Sequence, residues 1–102
     1  MLELRPSCEH CQRALPPAAR DAMICTYECT FCADCVETVL HNVCPNCGGG
    51  FTPRPIRPAR HGIRGNGLPA DPASTKPVHK AIDPQAQATL ISALANIPPH
   101  ER

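Results

Sequence analysis

The chain has 102 residues, a formal charge of +1, eight cysteines, one tyrosine and no tryptophan. That length allows one small domain, and no stretch approaches the roughly 18 consecutive apolar residues of a membrane span. Cysteine and alanine inflate the hydrophobic fraction of 42%, leaving 22 large apolar side chains, 13 of them in residues 1–51; so few cannot offset the ordering entropy without a staple.

The opening "MLELRPSCEH" has neither the basic flank nor the apolar run of roughly 7–15 residues that marks a secretory signal. A cytoplasmic protein with reduced thiols is expected, in which clustered cysteines bind metal or do redox work instead of forming disulfides.

Residues 1–51 hold every cysteine and read as a metal-stabilised α+β domain with a small hairpin and one short helix. Up to residue 47, Arg5, Arg13 and Arg20 stand against Glu3, Glu9, Asp21, Glu28, Asp34 and Glu37, a charge of −3. The knuckle "CEHC" comes first. Further on, "CADCVETVLHNV" places Val36, Val39, Leu40 and Val43 at helical spacing, so Cys32 and Cys35 open a helix. Thiolate charge is favoured there by free N–H groups and the helix dipole. Leu15, Ile24, Tyr27, Phe31, Val39 and Leu40 are the candidate core, and the knuckle "CPNC" closes the domain.

Residues 52–82 differ in kind. With the preceding glycines they carry Arg54, Arg57, Arg60, Arg64, Lys76 and Lys80 against Asp71 alone, a charge of +5. Their prolines and glycines forbid a long helix or a central strand, so an extended, mostly disordered linker is expected. Its arginines either keep it soluble or dock back onto the acidic head.

Residues 83–98 read as an amphipathic helix. Asp83 is the N-cap, Pro84 takes the first helical position, and Pro98 and Pro99 stop the run. Leu90, Ile91, Leu94 and Ile97 form one apolar stripe, which either covers the metal domain or receives a partner, a second copy of the chain included.

The cysteine gaps are C-x2-C-x13-C-x3-C-x2-C-x2-C-x8-C-x2-C. A two-residue gap lets both sulfurs of a tight turn face one ion, and eight ligands divide into two closed tetrahedral sites, which points to two zinc ions. Sequential pairing would join Cys8, Cys11, Cys25 and Cys29, leaving Cys32, Cys35, Cys44 and Cys47. Interleaved pairing joins Cys8, Cys11, Cys32 and Cys35 in site one and Cys25, Cys29, Cys44 and Cys47 in site two. The helix after Cys32 favours the interleaved form. His10 and His41 are weaker ligand candidates: the first sits in a solvated knuckle, the second near a helix end.

This order of gaps resembles the cross-brace of RING fingers and related treble-clef zinc folds, with all eight positions matched between Cys8 and Cys47 and the last pair reading C-P-x-C. The fourth ligand, a histidine in many RING fingers, is Cys29. Ubiquitin ligases of that family carry an apolar residue after the first ligand, an apolar or aromatic residue before the seventh and a basic one after the eighth. Here those places hold Glu9, Val43 and Gly48, so ligase activity is not expected.

"LELRPSCE", "ICTYECTFCADCVETVL", "CPNCGG", "RPIRPAR" and "DPASTKPV" are similar to a family of short bacterial cysteine-rich proteins of unknown function, over roughly residues 1 to 80. That resemblance implies a bacterial zinc protein and supplies no activity.

The functional expectation is a non-catalytic zinc-binding adaptor or regulatory module, since closed four-thiolate sites leave no position for substrate. A redox- or zinc-responsive thiol switch is the alternative, and nucleic-acid binding through the basic linker a further one. Iron is disfavoured, because the gaps in "CTYECTFCADC" reverse the ferredoxin order.

Overall fold

A computed structural model describes residues 1–60 and 62–102. Strand β1 (Ala22–Ile24) lies at the centre of a three-stranded antiparallel sheet, between β2 (Thr30–Cys32) and β3 (Thr52–Pro53). Ala22 pairs with Cys32, Met23 with Phe31 and Ile24 with Thr30, which is the expected hairpin. Its loop runs from Cys25 to Cys29 and closes through Glu28 N–H to Cys25 O at 3.0 Å, with Glu28 in the left-handed region. Pro53 is tolerated in β3 because an edge strand need not donate on both sides.

The expected short helix follows β2 directly. Ala33–Cys35 is α-helical (α1) and widens into a π-helical turn over Val36–Leu40, ended by left-handed His41 and Asn42. Val36, Leu40 and Val43 are buried and Val39 packs half-buried beside them.

The core is as thin as the composition requires. Its large side chains are Leu4, Leu15, Phe31, Leu40, Val43 and Phe51, and six of the eight cysteines are buried among them. Phe31 and Phe51 meet edge to face with centroids 5.6 Å apart. Tyr27, expected inside, is 74% exposed at the hairpin tip, because a loop whose ends are fixed by two cysteines has no inward-facing position there.

Among the described residues, 52–82 contain no helix, as expected of the linker, but they are anchored. The buried Arg54 guanidinium donates to the carbonyls of Arg5, Leu15 and Pro16 at 3.0–3.2 Å, and Arg57 to those of Leu2 and Asp71. Ser74 N–H reaches Leu4 O and Lys80 N–H reaches Glu9 O. His61, within this stretch, lies outside the described residues.

Helix α2 spans Pro84–Leu94, with the Asp83 carboxylate accepting from Gln85 N–H at 3.0 Å as its cap. It stops before Ile97, short of the expected residue 98, and a 3-10 turn follows at Pro99–Glu101. Leu90, Ile91, Leu94 and Ile97 are all half-buried. Gln87 of the same face is buried, its amide donating to Leu40 O at 3.2 Å and Val43 O at 2.9 Å, the carbonyls at the end of the π turn.

Candidate metal centre

The two C-x2-C turns have the same backbone. In the first, Cys8 N–H donates to Arg13 O and Gln12 N–H to Cys8 O; in the second, Cys44 N–H donates to Gly49 O and Gly48 N–H to Cys44 O. The residue after each knuckle is left-handed, Gln12 at φ 64° and Gly48 at φ 76°. Each turn therefore leaves its two cysteine side chains on one side of a tight loop.

The sulfurs of Cys8, Cys11, Cys32 and Cys35 all lie within 4.8 Å of one another. The first knuckle, the end of β2 and α1 thus converge on one point. Cys11 Sγ and Cys32 Sγ are 3.7 Å apart. Zinc–sulfur bonds of about 2.3 Å at tetrahedral angles place two sulfurs about 3.8 Å apart, so this edge has the length a zinc tetrathiolate needs.

In the second cluster the sulfurs of Cys25, Cys44 and Cys47 lie within 4.8 Å of one another. Cys29, from the far side of the hairpin loop, stands next to Cys25 and Cys44 but is not a member of that mutually close set. Its sulfur accepts from Asn46 Nδ2 at 3.3 Å. Cys8, Cys11, Cys32 and Cys35 thus form one close group and Cys25, Cys44 and Cys47 another, with Cys29 beside the second. His10 and His41 join neither cluster. His10 Nδ1 instead accepts from Ile82 N–H at 3.1 Å, and His41 is exposed.

The second cluster is surrounded by donors suited to thiolate charge. Tyr27 N–H points at Cys25 Sγ (3.3 Å) and Gly49 N–H at Cys47 Sγ (3.4 Å). Such outer-shell N–H groups orient ligands and stabilise their charge. Without a cation four of the thiols resist ionisation: burial above all raises those of Cys35 and Cys44, as it does those of Cys29 and Cys32. Burial also opposes ionisation of Cys11, but hydrogen bonds from the Arg13 backbone and the neighbouring sulfurs outweigh it and lower that thiol. A soft divalent cation relieves this conflict by neutralising the thiolates it gathers.

Sequence reasoning missed Asn46, Gln87 and Glu9 as structural partners of the clusters and their supports; docking of the linker arginines onto the head was one of its alternatives, but the acceptors of Arg54 are backbone carbonyls and not carboxylates. Gln87 had a readable signal, because its spacing to Leu90, Ile91 and Leu94 sets it on the apolar stripe. A polar residue there needs a buried partner.

The chain is thus a small α+β protein of one three-stranded sheet, short helices and two cysteine clusters able to hold metal ions. Residues 1–57 match the family described as "Protein of unknown function (DUF1272)", and the chain belongs to that family. An uncharacterized protein of Rhizobium meliloti (strain 1021) is 66% identical over 59 residues, covering 58% of this chain and 70% of that protein. No solved structure matches the chain. The family match ends at residue 57, before "DPASTKPV", so it is shorter than the resemblance over roughly 80 residues. No helix among the described residues is long and apolar enough to cross a membrane.

Proposed function

We propose that this protein is a non-catalytic, cytoplasmic two-zinc module of RING-like cross-brace type that serves as a protein-interaction or regulatory adaptor. The observation that carries this reading is the convergence of Cys8, Cys11, Cys32 and Cys35 across the sheet and α1, with a 3.7 Å sulfur–sulfur edge. In the proposed loaded state Cys25, Cys29, Cys44 and Cys47 hold the second ion, Cys29 moving in from its contact with Asn46. Eight thiolates then fill two tetrahedra, which leaves no position for water or substrate.

Elemental analysis of protein purified under reducing conditions tests this reading. Two equivalents of zinc and no visible absorption are expected; one equivalent refutes the second site, and a coloured iron protein refutes the metal. For the adaptor role, comparison of the intact chain with one lacking residues 83–102 is decisive: loss of self-association or of a co-purifying protein is expected only in the shortened chain. Nucleic-acid binding is less well supported, because Arg54 and Arg57 donate inward to carbonyls and leave Arg60, Arg64, Lys76 and Lys80 exposed.

A further inference from the structure

We propose that occupancy of the second cysteine cluster governs whether helix α2 stays docked, so that loss of that ion releases the helix and uncovers its apolar stripe. The proposal deepens the regulatory reading and rests on the clusters being metal sites.

Residues 80–102 lie across both knuckles as a strap. At its start, Lys80 N–H donates to Glu9 O at 2.8 Å and Ile82 N–H to His10 Nδ1 at 3.1 Å, both in the first knuckle. Beyond that point, among the described residues, every hydrogen bond joining the strap to the rest of the chain goes to residues 40–48. Gln87 donates to Leu40 O and Val43 O, and Arg102 Nη1 to Asn42 O at 2.8 Å and Gly48 O at 3.0 Å. The end of the strap packs on the second knuckle and the glycines after it, while Ile91 faces Thr38 and Val39: Leu94 Cδ1 comes within 3.0 Å of where a Cβ on Gly48 would stand, and Pro99 Cγ within 2.8 Å of the equivalent point on Gly50.

Those four carbonyls do not form a receptor by themselves. They belong to the stretch that contains Cys44 and Cys47, and their directions follow from the left-handed His41, Asn42 and Gly48 and from the turn closed by Cys44 and Gly49. An ion bound to Cys44 and Cys47 fixes that turn. When the turn loosens, the Gln87 amide, only 3% exposed, loses its partners where water cannot replace them. A helix of 11 residues is marginal in isolation, so the undocked segment has nothing else to hold it.

The two clusters are also unequal. The first has four mutually close sulfurs, whereas the second has three, with Cys29 engaged by Asn46. The cluster that supports the helix is therefore the one whose closure requires a ligand to move. Coupling between sites is reciprocal, so a docked helix must in turn retain the second ion.

The test uses the full chain loaded with two equivalents of zinc and challenged with a chelator, with metal release followed by an indicator dye and residues 84–94 by hydrogen exchange. Release in two steps is expected, with helix protection lost in only one of them. The Gln87→Ala, Arg102→Ala double variant should speed that step about tenfold and leave the other unchanged. Cys47→Ser should free the helix in protein that keeps one ion, while Cys11→Ser should not. Helix protection that survives chelation overturns the proposal, as does equal acceleration of both steps or equal release by the two cysteine variants. A chain that binds two ions with an indifferent helix refutes this coupling alone; one that takes up no zinc refutes the metal reading beneath it.

Discussion

The Glu9 carboxylate lies 2.6 Å from the Arg5 guanidinium, with 4% of the Glu9 side chain exposed. It also accepts from Thr30 N–H at 2.5 Å, while Glu9 N–H donates to Thr30 O at 3.0 Å. The first knuckle is thereby laced to the start of β2, which sets Cys8 and Cys11 opposite Cys32. Glu9 is therefore an inward-facing structural carboxylate.

Removing that carboxylate should cost more than an ordinary surface change. Glu9→Ala leaves the Thr30 amide without its partner and Arg5 with only the half-exposed Glu3 at 3.4 Å, and a loss of about 3 kcal/mol in unfolding free energy is expected. Glu9→Gln should cost less, because its amide oxygen still accepts from Thr30. Urea unfolding of the metal-loaded protein measures both.

Metal uptake should expel protons. Burial is the main cause of the raised Cys35 and Cys44 thiol pKa values, so these two thiols hold their protons more tightly in the metal-free fold than in the unfolded chain. An acid bound more tightly to its proton in the folded state stabilises that state below the unfolded thiol value of about 8.5 and loses the effect as pH rises through the folded value. Any fold kept without metal should therefore weaken on going alkaline. The loaded protein should do the opposite, since protons compete with the ion as pH falls. Proton release in unbuffered titrations and thermal unfolding of both forms across pH check the two signs.

Arg54 should be irreplaceable by lysine. Its buried guanidinium spans the carbonyls of Arg5, Leu15 and Pro16, and burial lowers its pKa without discharging it. Arg54→Lys provides a point charge that cannot reach all of them, and a loss of about 2 kcal/mol is expected with zinc content unchanged. Thermal unfolding with parallel metal analysis measures it; a variant as stable as the parent would show that the residues after 52 contribute nothing to the head.

The left-handed residues that follow the two knuckles, Gln12 and Gly48, should respond oppositely to substitution. Gly48→Ala puts a Cβ at φ 76° and 3.0 Å from Leu94, so it should destabilise by at least about 1 kcal/mol and loosen α2. Gln12→Gly relieves the same strain in the first knuckle and should be neutral or stabilising by up to about 1 kcal/mol. Denaturant midpoints and hydrogen exchange at residues 84–94 separate these effects.

What the sequence by itself determined is the part governed by local geometry. Two C-x2-C turns, a hairpin bounded by Cys25 and Cys29, and a helix opened by Cys32 and Cys35 are short-range structures; the gaps alone left two groupings of the cysteines open, and it was the helical spacing after Cys35 that set Cys32 and Cys35 with the first knuckle, where their sulfurs lie close to those of Cys8 and Cys11. Asp83 and Pro84 likewise announced the start of α2 through capping chemistry alone. What only the tertiary structure decided is where the remaining half of the chain lies. Tyr27 turns outward because its loop is pinned at both ends, and the linker and helix are held by Arg54, Arg57, Gln87 and Arg102 donating to backbone carbonyls. Every residue carries such a carbonyl, so the acceptors leave no mark in the sequence, and only the folded path of the chain shows which of them are left free to be bound.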